Sequence, residues 1–146
     1  MIGLLQRVTE AAVRVDGELV GEIGVGLLVL VGVQRDDGPP QAARLLERLL
    51  GYRVFADEVG RMNRSLRDTG GGLLLVPQFT LAADTRKGTR AGFSTAAEPE
   101  RARELFGHLV GLARAAHPLV ATGRFGADMK VSLVNDGPVT FWLETA

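Results

Sequence analysis

The stretch Gly26-Leu27-Leu28-Val29-Leu30-Val31-Gly32-Val33 constrains the fold of this chain more than any other segment. Its apolar residues have no polar break, so a strand built from them hides both faces, as strands do at the centre of a sheet covered on both sides. The run has the length of a buried strand and is too short to cross a membrane as a helix. A second run, Gly72-Leu73-Leu74-Leu75-Val76, has the same character and predicts a second central strand. The likeness of the two runs suits either a duplication or chance recurrence.

Around these strands the periodicity alternates between two kinds. Strands are expected over Ile2 to Val8, Ala11 to Asp16 and Leu19 to Ile23, with Asp16-Gly17 as a hairpin turn. Asp36-Asp37-Gly38-Pro39-Pro40 reads as a helix start, and Ala42, Leu45, Leu46, Leu49 and Leu50 then recur on one helical face. A polar loop over Asp57 to Asn63 leads to the second buried run, which continues into Gln78-Phe79-Thr80-Leu81. Pro99 opens a second helix with the face Ala102, Leu105, Phe106, Leu109, Val110 and Ala113. Strands close the chain at Leu119 to Arg124, Met129 to Asn135 and Val139 to Glu144, the last two joined by a turn at Asp136-Gly137-Pro138. Two helices for about eight strands predict an α/β protein. Its one domain, residues 1–146, is expected to hold mixed sheet layers with both helices on one face, in three layers α/β/β.

Composition removes several kinds of chemistry. The 146 residues carry 17 basic and 17 acidic side chains, a balance unlike that of proteins held on nucleic acid by broad counterion release. There is no cysteine, which excludes disulfides, thiolate nucleophiles and cysteine-ligated metals. The opening Met1 to Arg7 has too few apolar residues for a signal peptide, so a soluble cytoplasmic protein is expected. Neither a metal nor a cofactor is expected: no His-x-x-x-His spacing occurs, and Gly24-Val25-Gly26 precedes a strand where a nucleotide loop precedes a helix.

The remaining candidates are few. His108 and His117 have no matched serine or cysteine and read as structural or solvent-facing. The carboxylate pairs Asp36-Asp37, Asp57-Glu58 and Glu98 with Glu100 read as solvated loop and helix-start residues. Gln78-Phe79-Thr80-Leu81, followed by the cations Arg86, Lys87 and Arg90, reads either as a polar edge or as a pocket whose cations meet phosphate oxygens. Thr80 lacks a visible base and is a poor nucleophile. Asn135-Asp136-Gly137-Pro138-Val139-Thr140 reads by itself as a tight turn.

Together these two segments resemble the D-aminoacyl-tRNA deacylase family, whose signatures are a Ser-Gln-Phe-Thr-Leu strand end and an Asn-x-Gly-Pro-x-Thr turn. The resemblance runs from Met1 to Thr145 and includes Leu5-Gln6-Arg7-Val8, Ala83-Asp84-Thr85 with Lys87-Gly88, and Gly126-Ala127-Asp128-Met129. It implies a homodimer in which Gly137-Pro138, in cis, enters the partner's active site as a chiral gate that excludes L-aminoacyl groups. It implies hydrolysis of D-aminoacyl-tRNA, and of glycine mischarged on alanine tRNA, assisted by the ribose 2′-hydroxyl. Gln78, Phe79 and Thr80 then form the pocket, mostly through backbone, and Arg86, Lys87 and Arg90 meet the tRNA.

Pro77 stands where the family usually has Ser, and Ala91-Gly92 replaces a common Pro-Ser. A related branch with a Pro-Gln-Ala-Thr strand end edits a different mischarged tRNA, so Pro77 bears on substrate range. Two rival readings differ in class: a module that binds the tRNA acceptor end without cleaving it, and a structural oligomer whose Gly-Pro turn only joins subunits.

Overall fold

The computed structural model describes residues 1–146. In chain order its elements are strands β1 (Ile2–Val15), β2 (Glu18–Ile23) and β3 (Gly26–Gly32), and helix α1 (Pro39–Gly51). A small hairpin of β4 (Phe55–Ala56) and β5 (Met62–Arg64) follows, then a single-turn helix α2 (Leu66–Thr69) and strand β6 (Gly72–Pro77). A 3-10 turn, Phe79–Ala82, helix α3 (Pro99–Ala116), β7 (Val120–Thr122) and β8 (Lys130–Glu144) complete the chain.

The two apolar runs lie side by side. β3 and β6 pair in parallel with Gly26 opposite Gly72 and Val31 opposite Pro77, at the middle of the order β2-β1-β3-β6-β7. Leu27, Val29, Leu73 and Leu75 face the main core, and Leu28, Leu74 and Val76 face a second, smaller one. Burial on both faces is what the unbroken apolar runs demand. Gly26 and Gly72 allow the strands to start very close together: a β-carbon on Gly26 would fall 1.9 Å from the Gly72 carbonyl oxygen.

Both long helices bury the faces expected of them. Ala42, Leu45, Leu46, Leu49 and Leu50 of α1, and Ala102, Leu105, Phe106, Leu109, Val110 and Ala113 of α3, enter the main core. The Gly38 N–H donates to the Gln41 side chain at 2.8 Å, which closes the first turn of α1 where the two prolines supply no donors. The smaller core lies on the opposite side of the sheet, where Val8, Ala11 and Val13 of β1 meet Leu28, Leu74 and Val76, with Val131 and Leu133 of β8 packed against them. The expected α/β/β layering is therefore present, with α2 as a third, short helix.

Several boundaries differ from the sequence reading. The segments Ile2 to Val8 and Ala11 to Asp16 form one strand, and Thr9-Glu10 only shifts its register against β8. The closing strands Met129 to Asn135 and Val139 to Glu144 do not pair with each other as a hairpin. Both pair with β1 in the same antiparallel sense, Gln6 opposite Thr140 and Val8 opposite Asn135, so Asp136 to Val139 form an excursion from one long strand. A Gly-Pro turn signal is local and does not distinguish these two arrangements. The strand entering Gln78 stops at Pro77, and the loop expected over Asp57 to Asn63 contains the hairpin of β4 and β5. The strand expected over Leu119 to Arg124 shortens to Val120–Thr122. Asp37 is buried: its carboxylate accepts from the Gln34 N–H at 2.7 Å and from the Met1 amino group at 2.7 Å, so it ties the α1 entry to β1 instead of facing solvent.

No helix is long and apolar enough to cross a membrane.

Candidate functional site

A cavity of about 480 Å³ opens where β6 ends. Val76, Pro77, Gln78 and Phe79 form one wall, Ala97, Pro99 and Ala102 at the start of α3 a second, and the loop Phe125 to Met129 with Val131 of β8 a third. The chain turns here for local reasons. Pro77 carries no N–H, which is tolerated because β7 ends at Thr122 and demands no further ladder bond from β6. The Gln78 N–H instead donates to the Val31 carbonyl at 2.8 Å, the last tie to β3 before the 3-10 turn.

That turn separates the predicted residues. Gln78 and Phe79 line the cavity, whereas Thr80 lines a broader neighbouring groove with Arg86, Thr95, Gln34 and Trp142. The Gln78 amide donates to the Thr80 hydroxyl, linking the two sides. Phe79 is 62% exposed and its ring is tilted against Phe93 at 5.3 Å between centroids. An aromatic held this far out of the core suits contact with a ligand or another chain.

The loop cations are not equivalent. Arg86 grips Asp84 with two bonds, Nε to Oδ1 at 2.9 Å and Nη2 to Oδ2 at 2.8 Å. The guanidinium and the Arg86 backbone N–H together hold the Asp84 carboxyl down at about 2. Lys87 and Arg90 are exposed further along the same loop.

Gly137-Pro138 lies elsewhere. The peptide bond is cis, and Gly137 has φ +138°, in the region favoured by glycine. The excursion is clamped from both sides. Arg7 donates through Nε to the Asp136 carbonyl at 2.9 Å and through Nη1 to the Val54 carbonyl at 2.7 Å. Asn135 accepts from the Val139 N–H at 2.8 Å and donates to the Thr140 hydroxyl at 2.8 Å. Arg7 pairs with Leu27 at the start of β3, and Gln78 is tied to Val31 at its end. Within one protomer the Gly-Pro excursion and the Gln78 corner are thus four strand residues apart along β3, roughly 13 Å.

Neither histidine lines the cavity. His117 is buried and bonds the Gly71 carbonyl through Nε2 at 2.6 Å, and His108 is exposed on α3. Asp128 alone among the cavity-lining residues is ionisable, and it is ion-paired to Lys130 at 3.1 Å. The geometry thus gives an apolar, aromatic-walled cavity with backbone groups at one corner, whose one carboxylate, Asp128, is 88% exposed and held by Lys130.

Sequence reasoning left Phe125 to Met129 out of the site, although Gly126-Ala127-Asp128-Met129 contributed to the resemblance. The usable signal was an aromatic followed by a turn-forming glycine, and Gly126 does adopt φ +79°. The start of α3 gave no signal, since Ala97, Pro99 and Ala102 are ordinary helix-entry residues.

The profile of the D-Tyr-tRNA(Tyr) deacylase family matches residues 4–144. The chain belongs to this family. A relative named D-aminoacyl-tRNA deacylase from Thioalkalivibrio sulfidiphilus is 75% identical over 144 residues, which cover 99% of this chain and 97% of the relative. Another of the same name, from Paracidovorax citrulli, is 63% identical over 146 residues and covers 100% and 94%. Among solved structures, a c-Myc DNA unwinding element binding protein superposes with a TM-score of 0.96 at 36% identity, covering 100% of this chain and 99% of that one. A probable eukaryotic D-amino acid tRNA deacylase superposes with a TM-score of 0.82 at 18% identity, covering 99% and 98%, a likeness of fold alone.

Proposed function

We propose that this protein is a D-aminoacyl-tRNA deacylase whose substrate end enters the cavity at Gln78 and Phe79 and whose chirality is checked by Gly137-Pro138 of a second copy. Water attacks the ester carbonyl carbon, the bond to the ribose oxygen breaks, and that oxygen takes a proton, leaving free tRNA and a free amino acid. The observation that carries the reading is the cavity at the Gln78 corner, whose one ionisable side chain, Asp128, is exposed and paired with Lys130. With that carboxylate engaged by Lys130, the neighbouring ribose 2′-hydroxyl of the substrate itself is at hand as the proton relay. Thr80 is exposed and bonded to Gln78, so it orients and does not attack.

The separation of roughly 13 Å along β3 is the argument for a homodimer, since one chain's gate is at the wrong end of its own strand. A partner's rigid, clamped Gly-Pro carbonyls at the cavity mouth leave room for hydrogen where an L side chain would project. D-aminoacyl groups and glycine, including glycine mischarged on alanine tRNA, then fit and L-aminoacyl groups clash. Lys87 and Arg90 are free to meet tRNA phosphates, while Arg86 does so only by sharing or leaving Asp84. A tRNA substrate places the protein in the cytoplasm.

The test is single-turnover release of labelled D-Tyr, L-Tyr and Gly from tRNA, by the wild type and by Gly137→Ala. Rapid D-Tyr and Gly release with L-Tyr retained, and weakened discrimination in the variant, supports the reading. Protection of all three esters instead of cleavage would leave the acceptor-end binder, and a variant altered only in assembly would leave the structural oligomer.

A further inference from the structure

Arg103 differs from the other cations near the cavity, because it is held at the rim and lacks a carboxylate partner. It is exposed on the second turn of α3, and its guanidinium carbon lies 4.9 Å from the centroid of the Phe125 ring. Phe125 is tilted on Phe106 at 6.3 Å, so the ring is seated on the core and its neighbour Arg103 caps it from outside. A β-carbon placed on Gly126 would fall 3.5 Å from Arg103 Nη2, which puts the guanidinium beside two residues that line the cavity. Arg101 pairs with Glu104 at 3.0 Å and Arg86 is held by Asp84, while Arg124, exposed and without an ion pair beside Phe125, is not seated on an aromatic ring. Glu100, one turn before Arg103, makes no ion pair with it.

A guanidinium stacked on an aromatic face keeps its N–H edges free in the plane of the fork, where they match a phosphate group's oxygens. The balance of charge on the whole chain makes such a local, oriented cation matter more than any general field. We propose that Arg103 binds the 5′-phosphate of the terminal nucleotide whose nucleoside occupies the cavity. This rests on the reading above that the acceptor end enters there. In a 3′-aminoacylated nucleotide the 5′-phosphate leaves the ribose away from the ester, toward the preceding nucleotide. With the ester at the Gln78 corner, the strand therefore exits along the opposite wall, which Phe125 and Gly126 form and Arg103 caps.

Adenosine and adenosine 5′-monophosphate differ by this one phosphate, and calorimetric titration of each into the protein reads its contribution directly. The wild type is expected to bind the monophosphate about tenfold more tightly, the size of one charge-assisted hydrogen bond. Arg103→Ala should bring the two affinities together without weakening adenosine, and Arg103→Lys should keep part of the preference. Equal binding by the wild type, a preference that survives in Arg103→Ala, or binding of neither compound at millimolar concentration overturns the proposal. Release of D-Tyr from tRNA by the same proteins separates the two readings. Turnover without a phosphate preference sinks the Arg103 site alone, and a preference without turnover sinks the deacylase reading alone. A Phe125→Leu variant, which removes the ring but leaves the cation, is expected to reduce the preference by loosening the guanidinium.

Discussion

The Arg7 side chain joins two backbone carbonyls that are remote in sequence, that of Asp136 at 2.9 Å and that of Val54 at 2.7 Å. Arg7 thereby fixes the Gly-Pro excursion against the segment that follows α1. Its side chain is 17% exposed, and loss of the fork leaves the part-buried Val54 carbonyl unmet. Arg7→Ala is expected to slow D-Tyr release by about tenfold or more, from the loss of one to two charge-assisted bonds, and to raise cleavage of the L-ester. Arg7→Lys presents a single donor point that does not span both carbonyls and should fall between wild type and Arg7→Ala. Comparing D- and L-Tyr release rates checks this; a uniform loss with discrimination intact would refute a positioning role.

Asn135 and Thr140 close the other side of the same excursion. Asn135→Ala removes an acceptor for the Val139 N–H and a donor for the Thr140 hydroxyl, and Thr140→Val removes only the second contact. The first variant should therefore lose the D over L preference more than the second. A double-mutant cycle is expected to give a coupling of about 0.5–1.5 kcal/mol in the free energy of D-Tyr release. Strict additivity would show that the side chains do not act together.

Gly26→Ala tests the close start of β3 and β6. The new methyl would sit 1.9 Å from the Gly72 oxygen and 2.7 Å from its nitrogen, both backbone atoms that cannot rotate away. We expect a loss of about 3 kcal/mol and a fall in Tm of roughly 6–12 °C. Gly51→Ala at the end of α1 meets nothing within 4 Å and should be neutral or slightly stabilising. Thermal unfolding of both variants decides it, and an unchanged Tm for Gly26→Ala would contradict the packing described.

Asp84 is held at about 2 by Arg86, below its ordinary 3.8. A carboxyl depressed in the folded state stabilises above its unfolded value, and the contribution disappears as pH falls from about 4 through about 2. Between pH 5 and 9 the pair therefore adds no pH dependence to activity. A carbon-detected titration of Asp84 should have its midpoint near 2, moving toward roughly 3.9 in Arg86→Ala. A wild-type midpoint near 4 would rule the ion pair out in solution.

What was legible before folding follows from periodicity. The buried faces of α1 and α3 and the two central strands were readable because each rests on spacing within a single element, which local sequence encodes. The Gln78 corner and the Gly-Pro turn were readable as motifs. Residues 125–129 were not assigned to the site, because their role depends on the start of α3 arriving opposite them.

By itself the sequence determined which residues must be hidden, where the two long helices begin, and that no cysteine chemistry is at work. Tertiary structure alone decided that both halves of β8 pair with β1, that Asp136 to Val139 leave the strand under the grip of Arg7, and that Arg86 is already occupied while Arg103 is not. The reason is physical: burial patterns are written in neighbouring residues, whereas the pairing of a strand and the partner of a charge depend on groups many residues away in the chain.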